Sequence, residues 1–140
     1  MNSKATNLFS LSGKVALVTG GSKGLGKAIA RGFMAAGGDV AIASRSEDEL
    51  DATLAEISEG SGGRCMRAVA DLSLREDAER LAGRVLEEMG RVDILVNNAG
   101  SNVPEGCDEI NDANWDRIME LNLNSAMVLT RALVPQMKTQ

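Results

Sequence analysis

The fold is decided by residues 15–26, which read VALVTGGSKGLG. The apolar run Val15 to Val18 indicates a buried strand, and apolar residues at positions 25, 29 and 33 indicate one face of a following helix. Glycines at the junction let the backbone approach an anion closely, and a helix N-terminus offers free N–H groups to it. The stretch therefore predicts a strand, a turn and a helix that together bind a phosphate of a nucleotide.

The same alternation of strand and helix continues along the chain. Further strands are predicted at Val40–Ala43, Cys65–Ala70 and Ile94–Val96. Further helices are predicted after two capping boxes, Ser46 with Glu49 and Ser73 with Glu76, and from about residue 113 to residue 137. Such alternation requires right-handed crossovers, so we predict an α/β, Rossmann-type doubly wound parallel sheet in a single domain over residues 1–140.

Composition excludes several classes of function. The 140 residues carry a net charge of −5, which argues against nucleic acid or an anionic membrane as the main partner. The first seven residues have no apolar core, no apolar run is long enough to span a membrane, and the two cysteines form no CxxC pair. We therefore expect a cytoplasmic chain with free thiols, without a leader and, since it has no histidine, without a metal site.

A P-loop is the first nucleotide-binding alternative for the glycine-rich turn. Residues 21–27 satisfy the spacing G-x-x-x-x-G-K, but Ala28 stands where a Ser or Thr must supply a magnesium ligand. This makes a phosphoryl-transfer enzyme the weakest interpretation. A tight turn in an ordinary βα unit is the plain structural alternative, although three glycines at this junction are costly in chain entropy.

Two paired motifs carry a specific resemblance. Thr19-Gly20-x-x-x-Gly24-x-Gly26, together with Asn97-Asn98-Ala99-Gly100 after the fourth predicted strand, resembles the short-chain dehydrogenase/reductase family. Asp71-Leu72 and Leu121-Asn122-Leu123 also match the pattern of that family, over about residues 11–137. Within the family the chain is most similar to 3-oxoacyl-acyl-carrier-protein reductases and to gluconate 5-dehydrogenases.

The resemblance implies a set of cofactor-binding residues. The residues expected to contact the pyrophosphate are Gly20, Ser22, Gly24, Leu25 and Gly26. Asp71 is expected to contact the adenine amino group, and Leu72 is also expected to bind the cofactor. Asn97 and Asn98 are expected to tie the fourth strand to the first and to shape the nicotinamide side, where Ala99 and Gly100 form a floor without large side chains. The residues alone leave open that Asp71 helps to start the next helix and that Asn97 and Asn98 form an ordinary turn.

Charge favours NADP(H) over NAD(H). An NAD enzyme uses an acidic residue at the end of the second strand, where this chain has Ser44 followed by Arg45. Arg45 and Lys23 suit a 2′-phosphate, although each alone is also consistent with a solvated surface cation. Nearby Glu47 and Asp48 are explained by the dipole of the helix that they begin.

The resemblance also implies hydride transfer with a carbonyl or alcohol substrate, in which a Tyr moves the proton, a Lys lowers its pKa and a Ser polarises the carbonyl. The chain contains no Tyr, and only Asn122 matches a catalytic position of the family, where the resemblance implies a supporting role. The alternative is that Asn122 simply faces solvent. We therefore expect the cofactor-binding part of an oxidoreductase, inactive alone and with the C-terminal half missing.

In the strand order 3-2-1-4 that the resemblance implies, the fourth strand is an apolar edge, which predicts self-association. The alternative is a non-catalytic nucleotide-binding or partner-docking remnant of such an enzyme.

Overall fold

The computed structural model describes residues 8–140. Its strands are β1 (Val15–Thr19), β2 (Asp39–Ser44), β3 (Cys65–Val69) and β4 (Ile94–Val96). Its helices are α1 (Gly24–Ala35), α2 (Glu47–Ser58), α3 (Arg75–Met89), α4 (Asp112–Met119), a π-helical turn (Glu120–Asn124) and α5 (Ser125–Met137). The expectation about a leader falls on residues 1–7, which lie outside the described residues.

The four strands form one parallel sheet in the order β3-β2-β1-β4, which confirms the predicted fold class and strand order. Thr19 at the end of β1 is level with Ala43 near the end of β2, and Val18 is level with Val96 at the end of β4. Because all strands run the same way, the loops that leave their carboxyl ends meet at one edge of the sheet.

Alternate residues of the strands pack into two cores on opposite faces of the sheet. Along β1, Ala16 and Val18 face α1 and α2, whereas Val15 and Leu17 face α3 and α5. All four residues are at most 2% exposed. A strand covered on both faces explains why the sequence of β1 is continuously apolar rather than alternating.

The apolar pattern predicts the buried face of α1 only in part. Ile29 and Phe33 are partly buried and pack against the core, as predicted, but Leu25 is 77% exposed. The fully buried residues of α1 are Gly26, Ala30 and Met34. Gly26 lies directly against the turn after β1 and leaves no room for a side chain.

The two capping boxes are only partly confirmed. Ser46 caps α2 by accepting a hydrogen bond from the Glu49 N–H at 3.4 Å, as predicted. Ser73 does not cap α3, because its N–H and hydroxyl both donate to the carboxylate of Asp71, at 3.0 and 2.6 Å. That carboxylate therefore organises the entry to α3, which supports the alternative interpretation of Asp71.

The predicted long C-terminal helix is confirmed as helical backbone without a break from residue 112 to residue 137. The π-helical turn at Glu120–Asn124 divides it into α4 and α5. No residue of α4 is buried, whereas α5 buries Ser125, Val128, Leu129 and Leu133. Within residues 8–140, no helix is both long enough and apolar enough to cross a membrane.

Asp93 connects the start of β4 to the start of β1. Its carboxylate accepts the Val15 N–H at 2.8 Å and lies beside Arg91, which donates to it at 3.0 and 2.5 Å, while Lys14 is 3.7 Å away. Burial alone would raise the pKa of Asp93, but these hydrogen bonds and positive charges outweigh it and lower the pKa below its ordinary value. The carboxylate therefore stabilises the pairing of β1 with β4 while it is ionised.

We expect Asp93→Asn to lower the free energy of unfolding at neutral pH by about 1–3 kcal/mol, because a buried acceptor loses its charge-assisted hydrogen bonds. A lowered pKa stabilises the fold above the ordinary pKa of Asp, and this contribution is lost as the pH falls through the lowered value. Urea unfolding over a pH series should therefore show the two proteins converging in acid. The exposed Asp108 provides the control, and an equal effect of Asp108→Asn would contradict the assignment.

Candidate nucleotide-binding site

A cleft of about 540 Å³ lies at the carboxyl ends of the strands. Its walls come from the loops after β1, β2, β3 and β4, together with the end of β2, the first turn of α2 and the π-helical turn. Of the residues predicted to bind the cofactor, those that line it are Gly20, Ser22, Lys23, Arg45, Leu72, Asn98, Ala99 and Gly100.

The remaining predicted residues do not line the cleft. They are Gly24, Leu25, Gly26, Asp71 and Asn122. Sequence reasoning missed Ser46, Glu49, Ala70, Leu121 and Ala43 as lining residues, and treated Ser44 only as a place where an acidic residue is lacking. Ala43 and Ala70 end predicted strands, and Ser44 and Ser46 follow one on either side of Arg45, so position at a strand end could have identified these four. Glu49 and Leu121 lie in helical segments, where no such signal exists.

The turn after β1 is held by the side chain of Asn98. Its Nδ2 donates to the carbonyl oxygens of Thr19 at 3.0 Å and of Gly20 at 3.2 Å. Gly20 has a φ of +63°, and a Cβ there would lie 2.8 Å from the same Nδ2. Both the conformation and the close approach therefore require glycine at this position.

Gly26 brings the N-terminus of α1 against this turn. A Cβ at Gly26 would overlap the carbonyl oxygen of Gly20 and lie 2.5 Å from Nδ2 of Asn98. Gly24 has space around it but a φ of +55°, which an L side chain rarely adopts. The glycines thus have different physical tasks, two for backbone conformation and one for helix packing.

The side chain of Thr19 joins the end of β1 to the loop after β4. Its buried hydroxyl donates to the carbonyl oxygen of Val96 at 3.2 Å and accepts the N–H groups of Asn98 at 3.1 Å and Ala99 at 3.0 Å. Asn98 and Thr19 therefore tie the fourth strand to the first. Asn97, which shared this expectation, is exposed.

Asn122 lies in the π-helical turn and holds the loop that leaves β4. Its Oδ1 accepts the Ser101 N–H and its Nδ2 donates to the Ser101 carbonyl oxygen, both at 2.8 Å. A Cβ at Gly100 would lie 3.1 Å from the same Oδ1. Both polar atoms of the carboxamide are thus bonded to the backbone beside the cleft. π-Helical turns are frequent at functional sites.

The basic residues of the glycine-rich turn differ in their partners. Lys23 is 3.3 Å from Oε1 of Glu49, and Lys27, the residue that a P-loop would use, is paired with Glu56 on α2. Arg45 is exposed, and within residues 8–140 no carboxylate lies at ion-pair distance from it. Arg45 is therefore available to an anionic ligand in the cleft.

Asp71 lies next to the cleft rather than in its wall. Burial alone would raise its pKa, but the hydrogen bonds from Ser73 and the charges of Arg45 and Arg117 lower it. The carboxylate is therefore an anion whose charge partly compensates that of Arg45.

Ser44 supplies a polar atom that needs a partner. Its Oγ is buried and, among the described residues, has no hydrogen-bond partner. It lines the cleft beside Arg45. The buried hydroxyl of Ser44, the guanidinium of Arg45 and the turn that leads into α1 form a donor set that fits a phosphorylated nucleotide.

Comparisons with known proteins agree on one family. The sequence profile described as short chain dehydrogenase matches residues 14–140. The rhamnolipids biosynthesis 3-oxoacyl-[acyl-carrier-protein] reductase of Pseudomonas aeruginosa is 38% identical over 130 residues, which cover 93% of this chain and 50% of that protein.

Solved structures give the same result. L-sorbose reductase from Gluconobacter frateurii, complexed with NADPH and L-sorbose, superposes with a TM-score of 0.89 at 36% identity, over 94% of this chain and 50% of that one. A 3-oxoacyl (acyl-carrier-protein) reductase from Agrobacterium tumefaciens with NADP bound has a TM-score of 0.89 at 30% identity, over 98% and 52%. The chain spans about half the length of these relatives.

We expect Gly26→Ala to lower the free energy of unfolding by at least about 1–3 kcal/mol, because its Cβ meets backbone on one side and Asn98 on the other. Gly32 is the matched control on the same helix, since a Cβ there meets nothing within 4 Å. Gly32→Ala should raise the free energy of unfolding by about 0.5–1 kcal/mol. Urea denaturation of both variants measures the difference, and equal effects would show that the helix packing is misassigned.

Proposed function

This chain belongs to the short-chain dehydrogenase family, and we propose that it forms the NADP(H)-binding half of an oxidoreductase. The proposed reaction is hydride transfer between the nicotinamide and a carbonyl or alcohol substrate. The observation that carries the proposal is the cleft, which is lined by Gly20 and Ser22 of the turn before α1 and by two basic side chains, Lys23 and Arg45. Lys23 is also the N-cap residue of α1.

Binding of the pyrophosphate is assigned to the turn after β1. The turn lines the cleft as far as Lys23, the N-cap residue of α1, so the positive end of the α1 dipole lies next to the cleft. A side chain at Gly20 or Gly26 would collide with neighbouring atoms of this turn. We place the adenine toward Asp71 and Leu72 and the nicotinamide toward residues 98–100. The exposure of Leu25 suits a residue that covers the bound ligand rather than the core.

Selectivity for NADP(H) is assigned to the end of β2. Arg45 has no ion-pair partner among the described residues, and the unpartnered hydroxyl of Ser44 lies beside it. Neither residue is acidic, so the hydrogen bond that a carboxylate makes to an unphosphorylated ribose is unavailable from this position. Relatives crystallised with NADPH or NADP are consistent with this choice.

The reaction itself requires groups beyond those described. Asn122 holds the loop after β4 in place, which suits a supporting role, but the chain contains neither Tyr nor His to move a proton. We propose that the chain alone binds cofactor without turning it over. Because the chain has no Tyr, we also consider a second candidate function, a non-catalytic nucleotide-binding module, which would bind NADPH equally well.

We further propose a cytoplasmic location, in keeping with the free thiols of Cys65 and Cys107.

Titration calorimetry of the 140-residue chain should show NADPH binding more tightly than NADH. Arg45→Ala should weaken NADPH binding roughly tenfold, the size of a lost charge-assisted contact, and leave NADH binding nearly unchanged. Arg31→Ala is the control, because Arg31 is an exposed cation of α1 that pairs with Glu56 and does not line the cleft. The absence of heat with either nucleotide at millimolar concentration would contradict a binding role.

We also propose that the chain self-associates through β4. Among residues 8–140, β4 pairs with β1 alone, and its residues Ile94, Leu95 and Val96 are half-buried. Sedimentation velocity over a range of concentrations should show species larger than 14.7 kDa that increase with concentration. A single species of monomer mass throughout that range would rule this out.

A further inference from the structure

Glu49 places a carboxylate between the two side-chain donors of the glycine-rich turn. Its Oε2 accepts the hydroxyl of Ser22 at 3.0 Å, and its Oε1 lies 3.3 Å from Nζ of Lys23. All three residues line the cleft. In a capping box the Glu side chain would turn back to the backbone of Ser46, so this carboxylate has left its usual local partner for the nucleotide site.

The position of this carboxylate is fixed from both sides. On α2, the Ser46 hydroxyl caps the backbone of Glu49, and the buried hydroxyl of Thr53, one turn further on, donates to the Ser22 carbonyl oxygen at 2.7 Å. The hydrogen bonds from Ser22 and Lys23 lower the pKa of Glu49. The group is therefore an anion at neutral pH, held where it meets both donors.

We propose that Glu49 is a specificity-determining residue: an internal anion, held in place by the Ser22 hydroxyl, that competes with the 2′-phosphate of NADP(H) for Lys23. The inference rests on the proposed function, because it concerns the nucleotide that the same cleft binds. Glu49 weakens the preference for the phosphorylated cofactor, whereas Arg45 and Ser44 strengthen it.

The physical basis is that a ligand phosphate and the Glu49 carboxylate carry the same sign. For Lys23 to contact a phosphate it must share or leave Glu49, and the carboxylate then lies near the new charge without its full compensation. A nucleotide with a 2′-hydroxyl meets no such repulsion. The Glu49 carboxylate thus changes the difference in binding free energy between NADPH and NADH, and it hardly changes the binding of the parts that the two nucleotides share.

Glu49→Gln removes the charge but keeps an oxygen that can accept the Ser22 hydroxyl. We expect the variant to bind NADPH roughly two- to tenfold more tightly, from the size of exposed charge interactions and the charge of a phosphate monoester, with NADH changed much less. The gain should shrink at high ionic strength, because the repulsion is screened. Calorimetry with NADPH and with NADH, at low and high salt, gives both dissociation constants for the 140-residue chain.

The matched control is Glu56→Gln, on the same helix. Glu56 pairs with Lys27 and Arg31 and does not line the cleft, so its removal changes net charge equally without touching the site. An unchanged or reduced ratio of NADPH to NADH affinity in Glu49→Gln, or an equal shift in Glu56→Gln, would overturn the role of Glu49 while leaving NADPH binding by the wild-type chain intact. If the wild-type chain binds neither nucleotide, the proposed function fails, and the inference with it.

Discussion

The architecture of the site depends on the contact between the carboxamide of Asn98 and the backbone at the end of β1. Asn98 donates to the carbonyl oxygens of Thr19 and Gly20. In turn, the hydroxyl oxygen of Thr19 accepts hydrogen bonds from the N–H groups of Asn98 and Ala99. Two strands nearly 80 residues apart in sequence are thereby joined where the cleft begins. Gly26 can approach only because this arrangement leaves space for a hydrogen atom and nothing larger.

The electrostatics of the cleft are balanced rather than simply positive. Lys23 faces Glu49, and the charge of Arg45 acts on Asp71, which lies just outside the wall. A protein with a net charge of −5 thus keeps its basic groups at the cleft beside acidic ones. Such pairing lowers the cost of assembling like charges before a ligand arrives, and it makes ligand preference depend on both signs.

Much of the fold could be predicted because it depends on local patterns. The apolar run at residues 15–18 and the glycines after it identify strand, turn and helix, and the strand order is the one that the family resemblance implies. The exposure of Leu25 could not be predicted, since the face that the first turn of α1 buries is the one where Gly26 contacts the turn after β1. The role of Glu49 was missed for a similar reason. An acidic residue in a first helical turn has a sufficient local explanation, and only the fold brings it to Ser22.

The π-helical turn at Glu120–Asn124 sets the phase of the last helix. One additional residue in that turn lets Asn122 reach the loop after β4 while Val128, Leu129 and Leu133 still face the sheet. Removal of a single residue there would allow ordinary α-helical hydrogen bonding but would rotate everything that follows by about 100°. In this segment the number of residues is therefore constrained more strictly than their identity. Insertions and deletions here are less readily accommodated than substitutions.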